Sequence, residues 1–177
     1  MADVLKNTDT TLILGGARSG KSAYAERLVL ATQLRPIYIA TGQAHDDEMH
    51  QRIAHHQSRR GISWVTIEEP LKLCEILTAN AAPANAILVD CLTLWLSNLM
   101  MANKNIEEET DALTTLIPAL AGPVVFVSNE VGMGLVPETA LGRTFRDHQG
   151  RLNQRIADVA DTVSFIAAGY PITLKAT

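Results

Sequence analysis

The sequence predicts an α/β fold in which helices flank a mostly parallel β-sheet. Short apolar runs alternate with longer amphipathic stretches along the 177 residues, which is the pattern of repeated βαβ units. The apolar runs are rich in Val, Ile and Leu, as expected for strands that are covered on both faces. A glycine-rich segment separates the first apolar run from the first amphipathic stretch. In such folds this junction lies at the edge of the sheet where ligands bind.

The predicted strands are short apolar runs bounded by turn residues. The first ends at Gly15 and Gly16, and the last follows a turn at Gly169, Tyr170 and Pro171. In chain order the strands are Thr11–Leu14, Pro36–Ala40, Trp64–Ile67, Ala86–Asp90, Pro123–Ser128, Thr162–Ala167 and a short Ile172–Lys175.

The predicted helices are the stretches in which apolar residues recur every three or four positions. In the first, Tyr24, Leu28 and Ala31 share one face. The set comprises Lys21–Thr32, Asp46–Arg59, Pro70–Asn80, Leu92–Ala102, Glu107–Leu120 and a helix from Glu138 to Asp161 with a break near Gly150. The apolar cluster Leu94–Met101 in the fourth helix is expected in the core, with part of it available for an interface.

Composition indicates one globular domain spanning residues 1–177. The chain is 47% hydrophobic and 19% charged, which is ordinary for a folded domain of this size. Fifteen basic and 19 acidic residues give a formal net charge of −4, which argues against a nucleic-acid partner. The two cysteines, Cys74 and Cys91, form no metal-binding or disulfide pattern. We find neither a secretory signal nor a membrane-spanning run, so we expect a cytoplasmic protein without a membrane span.

Residues 15–22 fit the phosphate-binding motif G-x-x-x-x-G-K-[ST] in full, between a predicted strand and a predicted helix. Glycines let backbone N–H groups turn toward phosphate oxygens, and the helix N-terminus adds partial positive charge. Lys21 is expected at the β- and γ-phosphates and Ser22 at Mg²⁺. The predicted nucleotide-binding residues of this loop are Gly15, Gly16, Ala17, Arg18, Ser19, Gly20, Lys21 and Ser22.

Asp90 is the predicted acidic partner of this loop. It ends a buried strand, where a carboxylate can reach Mg²⁺ together with Ser22. It also precedes the helix at Leu92, so a helix-capping role is the alternative. These features predict a nucleoside triphosphate with Mg²⁺, but they do not choose among kinase, GTPase, ATPase and nucleotidyltransferase.

A second unusual segment, residues 46–60, begins with three acidic residues and ends with two arginines. At helical spacing His55 lies between Arg52 and Arg59 on one polar stripe, whereas His56 shares the apolar stripe with Ile53. Two arginines beside an imidazole can hold a phosphoryl group for nucleophilic attack. The alternative is a solvated basic stripe at a helix C-terminus.

The chain resembles the bifunctional adenosylcobinamide kinase / adenosylcobinamide-phosphate guanylyltransferase family of cobalamin biosynthesis. The resemblance extends from about Leu12 to Lys175, and its most specific parts are the Asp-Asp-Glu-Met and His-His segments and the loop Asn129–Pro137. The matching residues are 15–22, 38–41, 46–49, 52–53, 55–56, Trp64, Thr66, Glu68, 127–134, 136–138, 145–147, 150–151 and 153–155.

This resemblance implies a RecA-like domain that forms homotrimers and does two reactions at one nucleotide site. The first phosphorylates the aminopropanol hydroxyl of adenosylcobinamide with ATP or GTP. The second transfers GMP from GTP to adenosylcobinamide phosphate through a guanylylated histidine, which falls on His55. It further implies nucleotide contacts at Thr41, Gly42, His56, Gln57, Ser58, Arg59, Glu68 and Asp90. Asp90 stands where a related sequence has Glu, and Gly42 stands where that sequence has Ser, so it lacks the hydroxyl.

Two other functions share the phosphate-binding loop. A small-molecule kinase would use Lys21, Ser22 and Asp90 but would not use His55. A GTP-binding regulatory module would bind nucleotide without releasing pyrophosphate. Glu130 is a candidate general base for the kinase step, and the alternative is that it only shapes the loop containing Gly132 and Gly134.

Overall fold

The computed structural model describes residues 9–42 and 64–176. Seven strands in this part of the chain form a single sheet of order β3-β2-β4-β5-β1-β6-β7. Strands β1 to β6 are parallel to one another and β7 runs antiparallel to β6. The strands are β1 (Thr10–Gly15), β2 (Arg35–Ala40), β3 (Val65–Glu68), β4 (Asn85–Asp90), β5 (Val124–Asn129), β6 (Thr162–Ala167) and β7 (Tyr170–Ala176).

Five α-helices of the described residues connect these strands. Asn105 caps the fourth by accepting hydrogen bonds from the N–H groups of Glu107 and Glu108. The helices are α1 (Lys21–Ala31), α2 (Leu73–Asn80), α3 (Leu92–Met101), α4 (Ile106–Leu116) with a 3₁₀ turn at Ile117–Ala119, and α5 (Ala140–Val159). The helix predicted at 46–59 lies outside the described residues.

The sheet is covered on both faces, as the near-continuous apolar strands predict. Leu12 and Leu14 of β1 pack with Trp95 on one face, and Ile13 packs with Tyr24 on the other. The apolar cluster of α3 is core, since Trp95, Leu96 and Leu99 are fully buried. The predicted α/β class with a mostly parallel sheet is therefore confirmed.

Two local predictions are wrong. Helix α5 continues through Gly150 without a break. A methyl group built on Gly150 would meet no atom within 4 Å, while Gln149 and Leu152 beside it are buried. Tertiary packing on both sides outweighs the weak helix preference of a single glycine.

The second wrong prediction is the turn before the last strand. The turn is Ala168–Gly169, both with positive φ (50° and 85°), and Tyr170 already pairs with Ala167. Pro171 is tolerated because β7 is an edge strand, where a missing N–H breaks no ladder in the sheet interior. Among the described residues we find no helix with the length and apolarity that crossing a bilayer requires.

Candidate active site

The candidate site lies at the carboxyl edge of the parallel strands. The register pairs Gly15 at the end of β1 with Asn129 at the end of β5, and Ala40 at the end of β2 with Asp90 at the end of β4. Because all four strands point the same way, the segments that follow them meet at this edge.

The phosphate-binding loop, residues 15–22, owes its shape to two glycines. Gly15 and Gly20 have φ of 152° and 101°, and a Cβ on Gly15 would lie 2.6 Å from the Ile166 carbonyl oxygen. A Cβ on Gly20 would lie 3.1 Å from Cα of Gly169. Gly20 is also the N-cap of α1 and brings no side-chain acceptor to the first helical turn. The N–H groups of this turn are therefore available to an anion.

Lys21 is buried inside this loop with only 7% of its surface exposed. Its Nζ donates to the Gly16 carbonyl at 2.6 Å. Burial lowers the pKa of Lys21, and the nearby Cys91 and Asp90 partly oppose that shift. Burial also raises the pKa of the Cys91 thiol to about 12, with the nearby Asp90 adding to that shift. An ammonium held in this way suits the β- and γ-phosphates.

Ser19 gives an independent sign that this loop is an anion site. Within residues 9–42 and 64–176 its buried hydroxyl has no hydrogen-bond partner. Buried donors are nearly always satisfied, so an orphan inside a glycine loop fits a phosphate oxygen.

Asp90 ends β4 at this edge and does not cap helix α3. Its Oδ2 accepts a hydrogen bond from the buried Tyr38 hydroxyl at 2.9 Å. Helix α3 takes Cys91 as its N-cap and has no side-chain capping bond, so the capping alternative is not realised in the described residues. The Ser22 hydroxyl and the Asp90 carboxylate are hard oxygen donors of the kind that Mg²⁺ prefers, and the two residues fit that ion.

Thr41 and Gly42 follow β2 at the same edge. Thr41 is fully buried, and its Oγ1 donates to the Cys91 carbonyl at 2.7 Å and accepts from the Cys91 N–H at 2.9 Å. The Thr41 carbonyl accepts from Asn98 at 2.7 Å. The Thr41 hydroxyl therefore fixes the position of Cys91, the residue after Asp90. A nucleotide contact by Thr41 stays a prediction. A Cβ on Gly42 would lie 2.9 Å from Leu94 Cδ1, so a larger residue would displace that side chain.

The segment after β5, residues 130–139, is called the β5 loop here. The Glu130 N–H donates to the Gly15 carbonyl at 3.0 Å, which joins this loop to the phosphate-binding loop. The Glu130 carboxylate accepts from the N–H groups of Gly132 and Met133 at 2.7 and 3.0 Å. These bonds favour the loop-shaping interpretation of Glu130 over that of general base.

Sequence reasoning missed a buried polar network behind the β5 loop. Gln149 donates to Ser128 and Asn153, each at 2.9 Å, and Ser128 donates to Asn153 at 2.6 Å. Asn153 in turn donates to the Asn129 carbonyl at 3.0 Å. The spacing of Gln149 and Asn153 by one helical turn is its only sequence signal.

The remaining predicted residues divide into two groups. Glu68 ends β3 in register with Ala40 and is exposed at the same sheet edge. His55, His56, Gln57, Ser58 and Arg59 lie outside the described residues, so their predicted roles stay predictions.

The loop around Lys21, Asp90 across one intervening strand, and the sheet order together define a RecA-like P-loop nucleotide-binding domain. Solved structures agree on the fold. The flagellar accessory protein FlaH from Methanocaldococcus jannaschii superposes with a TM-score of 0.52 at 14% identity, over 98% of this chain and 80% of that one. A protein from Pyrococcus horikoshii OT3 gives 0.56 at 12% identity, over 98% and 89%.

The chain belongs to the cobinamide kinase / cobinamide phosphate guanyltransferase family, whose sequence profile matches residues 11–174. It is 48% identical to the bifunctional adenosylcobalamin biosynthesis protein CobP of Pseudomonas aeruginosa, over 93% of this chain and 96% of that protein. It is 41% identical to the corresponding CobU of Salmonella typhimurium, over 93% and 98%. The predicted resemblance is confirmed, and the chain is an enzyme of this kinase and guanyltransferase family.

Proposed function

We propose that this enzyme phosphorylates the aminopropanol hydroxyl of adenosylcobinamide with ATP or GTP. It then transfers GMP from GTP to adenosylcobinamide phosphate through a guanylyl-histidine at His55, which yields adenosyl-GDP-cobinamide and pyrophosphate. The observation that supports this most is Lys21, buried in a glycine-shaped loop with Asp90 as counter-charge. Membership of the family supplies the acceptor class.

In the kinase step the acceptor hydroxyl attacks the γ-phosphorus and releases its proton to solvent. The bond from that phosphorus to the bridging oxygen breaks, and ADP or GDP leaves. The Lys21 ammonium and the N–H groups of the first turn of α1 offset the charge that develops on the phosphoryl oxygens. Ser22 and Asp90 would hold Mg²⁺, which would neutralise phosphate charge when bound. The phosphate-binding loop, Thr41, Gly42, His56, Gln57, Ser58, Arg59, Glu68 and Asp90 are the proposed nucleotide contacts.

In the transferase step a neutral imidazole nitrogen of His55 attacks the α-phosphorus of GTP. A phosphorus–nitrogen bond forms, the bond to the β-phosphate oxygen breaks, and pyrophosphate leaves. An oxygen of adenosylcobinamide phosphate then attacks the same phosphorus, so the phosphorus–nitrogen bond breaks and His55 is restored. Arg52 and Arg59 are the proposed partners of the phosphoryl group during this exchange.

The same proposal extends to the setting of the enzyme. We take it to act as a homotrimer in the cytoplasm, where its nucleotide substrates are found. Light scattering after gel filtration measures the trimer, and a monomeric mass would contradict it.

The test is the intact mass of the protein after incubation with GTP and Mg²⁺ in the absence of corrinoid. The wild type should gain the mass of one GMP, His55→Ala should gain none, and the control His148→Ala, on α5 and outside the proposed nucleotide contacts, should still gain it. An adduct that persists in His55→Ala moves the nucleophile elsewhere. Bound GTP without an adduct in any of the proteins contradicts the guanylyl-histidine and favours a simple kinase or a binding module.

A further inference from the structure

We propose that the β5 loop and the start of α5 bind the corrin ring of the cobinamide acceptor. This inference rests on the function proposed above and adds the position of the acceptor. Two observations support it: the position of the exposed apolar side chains, and the hydrogen bonds that fix the loop that carries them.

Four of the nine large apolar side chains exposed among residues 9–42 and 64–176 lie in this short stretch, and three others, Tyr170, Ile172 and Leu174, lie on the edge strand β7. Leu135 is 95% exposed and Met133 80%, with Leu141 and Val136 at 70% and 64%. Monomeric proteins seldom place several large apolar side chains together in solvent unless the patch binds something. A corrin macrocycle, whose conjugated ring carries methyl groups at its edge, is a ligand that such a patch fits.

The loop is held so that these side chains stay outward. At its start the Glu130 carboxylate binds the N–H groups of Gly132 and Met133. At its end Arg143 donates from Nη1 to the carbonyls of Pro137 and Glu138 at 3.1 and 2.7 Å. The Glu130 carboxylate and the Arg143 guanidinium are thus hydrogen-bonded within the loop. The exposed apolar side chains remain available to contact a ligand. A loop held at both ends loses less entropy on binding.

The position of the loop matches what the reaction requires. Its first N–H group bonds to Gly15, so the loop starts beside the site that holds the triphosphate. The acceptor hydroxyl must reach the γ-phosphorus of that triphosphate, and its ring must therefore lie at the same edge of the sheet. The exposed apolar residues Leu30 and Met101 lie near the C-terminal ends of α1 and α3, toward the opposite edge.

Charge favours a corrinoid over a nucleotide at this surface. Residues 130–143 include Glu130, Glu138 and Arg143, so two acidic residues and one basic residue give a formal charge of −1. Both Glu130 and Arg143 are hydrogen-bonded within the loop. An anionic phosphate would be repelled there, whereas adenosylcobinamide carries net positive charge on its cobalt–corrin core and neutral amides at its rim. A second copy of the chain is the other candidate occupant, and the test below separates the two.

The test is equilibrium dialysis of adenosylcobinamide against the full-length enzyme, followed by steady-state kinetics. In the double variant Met133→Ser, Leu135→Ser we expect the Kd and the KM for adenosylcobinamide to rise at least tenfold. The KM for GTP should stay within twofold. The matched control is Leu30→Ser, Met101→Ser, which removes exposed apolar side chains from the other edge and should leave every constant unchanged.

Each alternative outcome is distinct. Unchanged corrinoid affinity in the loop variant overturns the inference. A change in oligomeric mass at unchanged affinity per subunit also overturns it and assigns the surface to a contact between copies. Dialysis requires no chemistry, so a wild type that binds corrinoid through this loop but gains no GMP contradicts the guanylyl-histidine alone.

Discussion

The phosphate-binding loop and the β5 loop follow neighbouring strands at one edge of the sheet, yet they are built in opposite ways. In the former, glycine backbone sets the shape, and Ser19 and Lys21 are turned inward. In the latter, the side chains of Glu130 and Arg143 set the shape, and Met133 and Leu135 are turned outward.

This difference follows from the ligand that each loop is proposed to hold. Phosphate is recognised by N–H groups and a cation at fixed positions, so the loop that binds it has strict spacing. An apolar ring is recognised by contact area, which many side-chain arrangements supply. The comparison predicts that the first loop tolerates few changes of backbone or charge, whereas the second is sensitive mainly to loss of apolar surface.

The largest effect is expected for Lys21→Ala. Removing the buried cation should lower kinase and guanylyl-transfer rates by about 10²–10³-fold, as for other groups that stabilise transition-state charge. The control Lys72→Ala removes an exposed lysine that pairs with Glu75 on the surface and should leave the rates unchanged. Phosphate transfer measures the kinase rate, and pyrophosphate release measures the guanylyl-transfer rate. Near-wild-type rates in Lys21→Ala would contradict the prediction that the phosphate-binding loop tolerates few changes of charge.

Next in size is the effect of a methyl group on the backbone of each loop. Gly15→Ala must place its Cβ 2.6 Å from a backbone oxygen at a φ of 152°, and should lower the free energy of unfolding by about 2–3 kcal/mol. Gly134→Ala in the β5 loop points into open space and should change stability by less than about 0.5 kcal/mol. Urea unfolding measures both, and equal losses would show that the two loops are not built differently.

A smaller effect is expected for Asp90→Asn. Loss of the carboxylate charge should raise the Mg²⁺ concentration needed for half-maximal activity by about 10–100-fold. Asp111→Asn is the matched control, because Asp111 pairs with Arg155 on the surface. A Mg²⁺ titration at saturating GTP distinguishes the two variants, and an unchanged midpoint in Asp90→Asn would remove Asp90 from the metal site.

The smallest effect is expected for Tyr38→Phe. It deletes the hydroxyl that donates to Asp90 and leaves the rest of the ring in place. Loss of this hydrogen bond should cost about 1 kcal/mol of stability and raise the Mg²⁺ midpoint a few-fold. Tyr170→Phe, on the exposed edge strand, is the control. If the free energy of unfolding changed but the Mg²⁺ midpoint did not, the Tyr38 hydroxyl would stabilise the fold without positioning Asp90.

The sequence alone predicts those structural features that depend on residues close to one another in the chain. The strands, the phosphate-binding loop and Asp90 at a strand end are of this kind. Thr41 is different, because its partners Cys91 and Asn98 lie 50 and 57 residues away and only the sheet register brings them together. Local preference alone predicts a helix break at Gly150, but packing on both sides of that residue keeps the helix continuous.

The hairpin between β6 and β7 contacts the phosphate-binding loop through a backbone hydrogen bond. The Gly169 N–H donates to the Ser19 carbonyl at 2.8 Å. Gly169 follows the strand β6 and is far from Ser19 in sequence, yet the exchange of its amide hydrogen with solvent depends on whether that loop is closed. Bound triphosphate would order the loop and slow this exchange. We therefore expect the amide of Gly169 to report nucleotide occupancy in the native protein, with no label and no substitution.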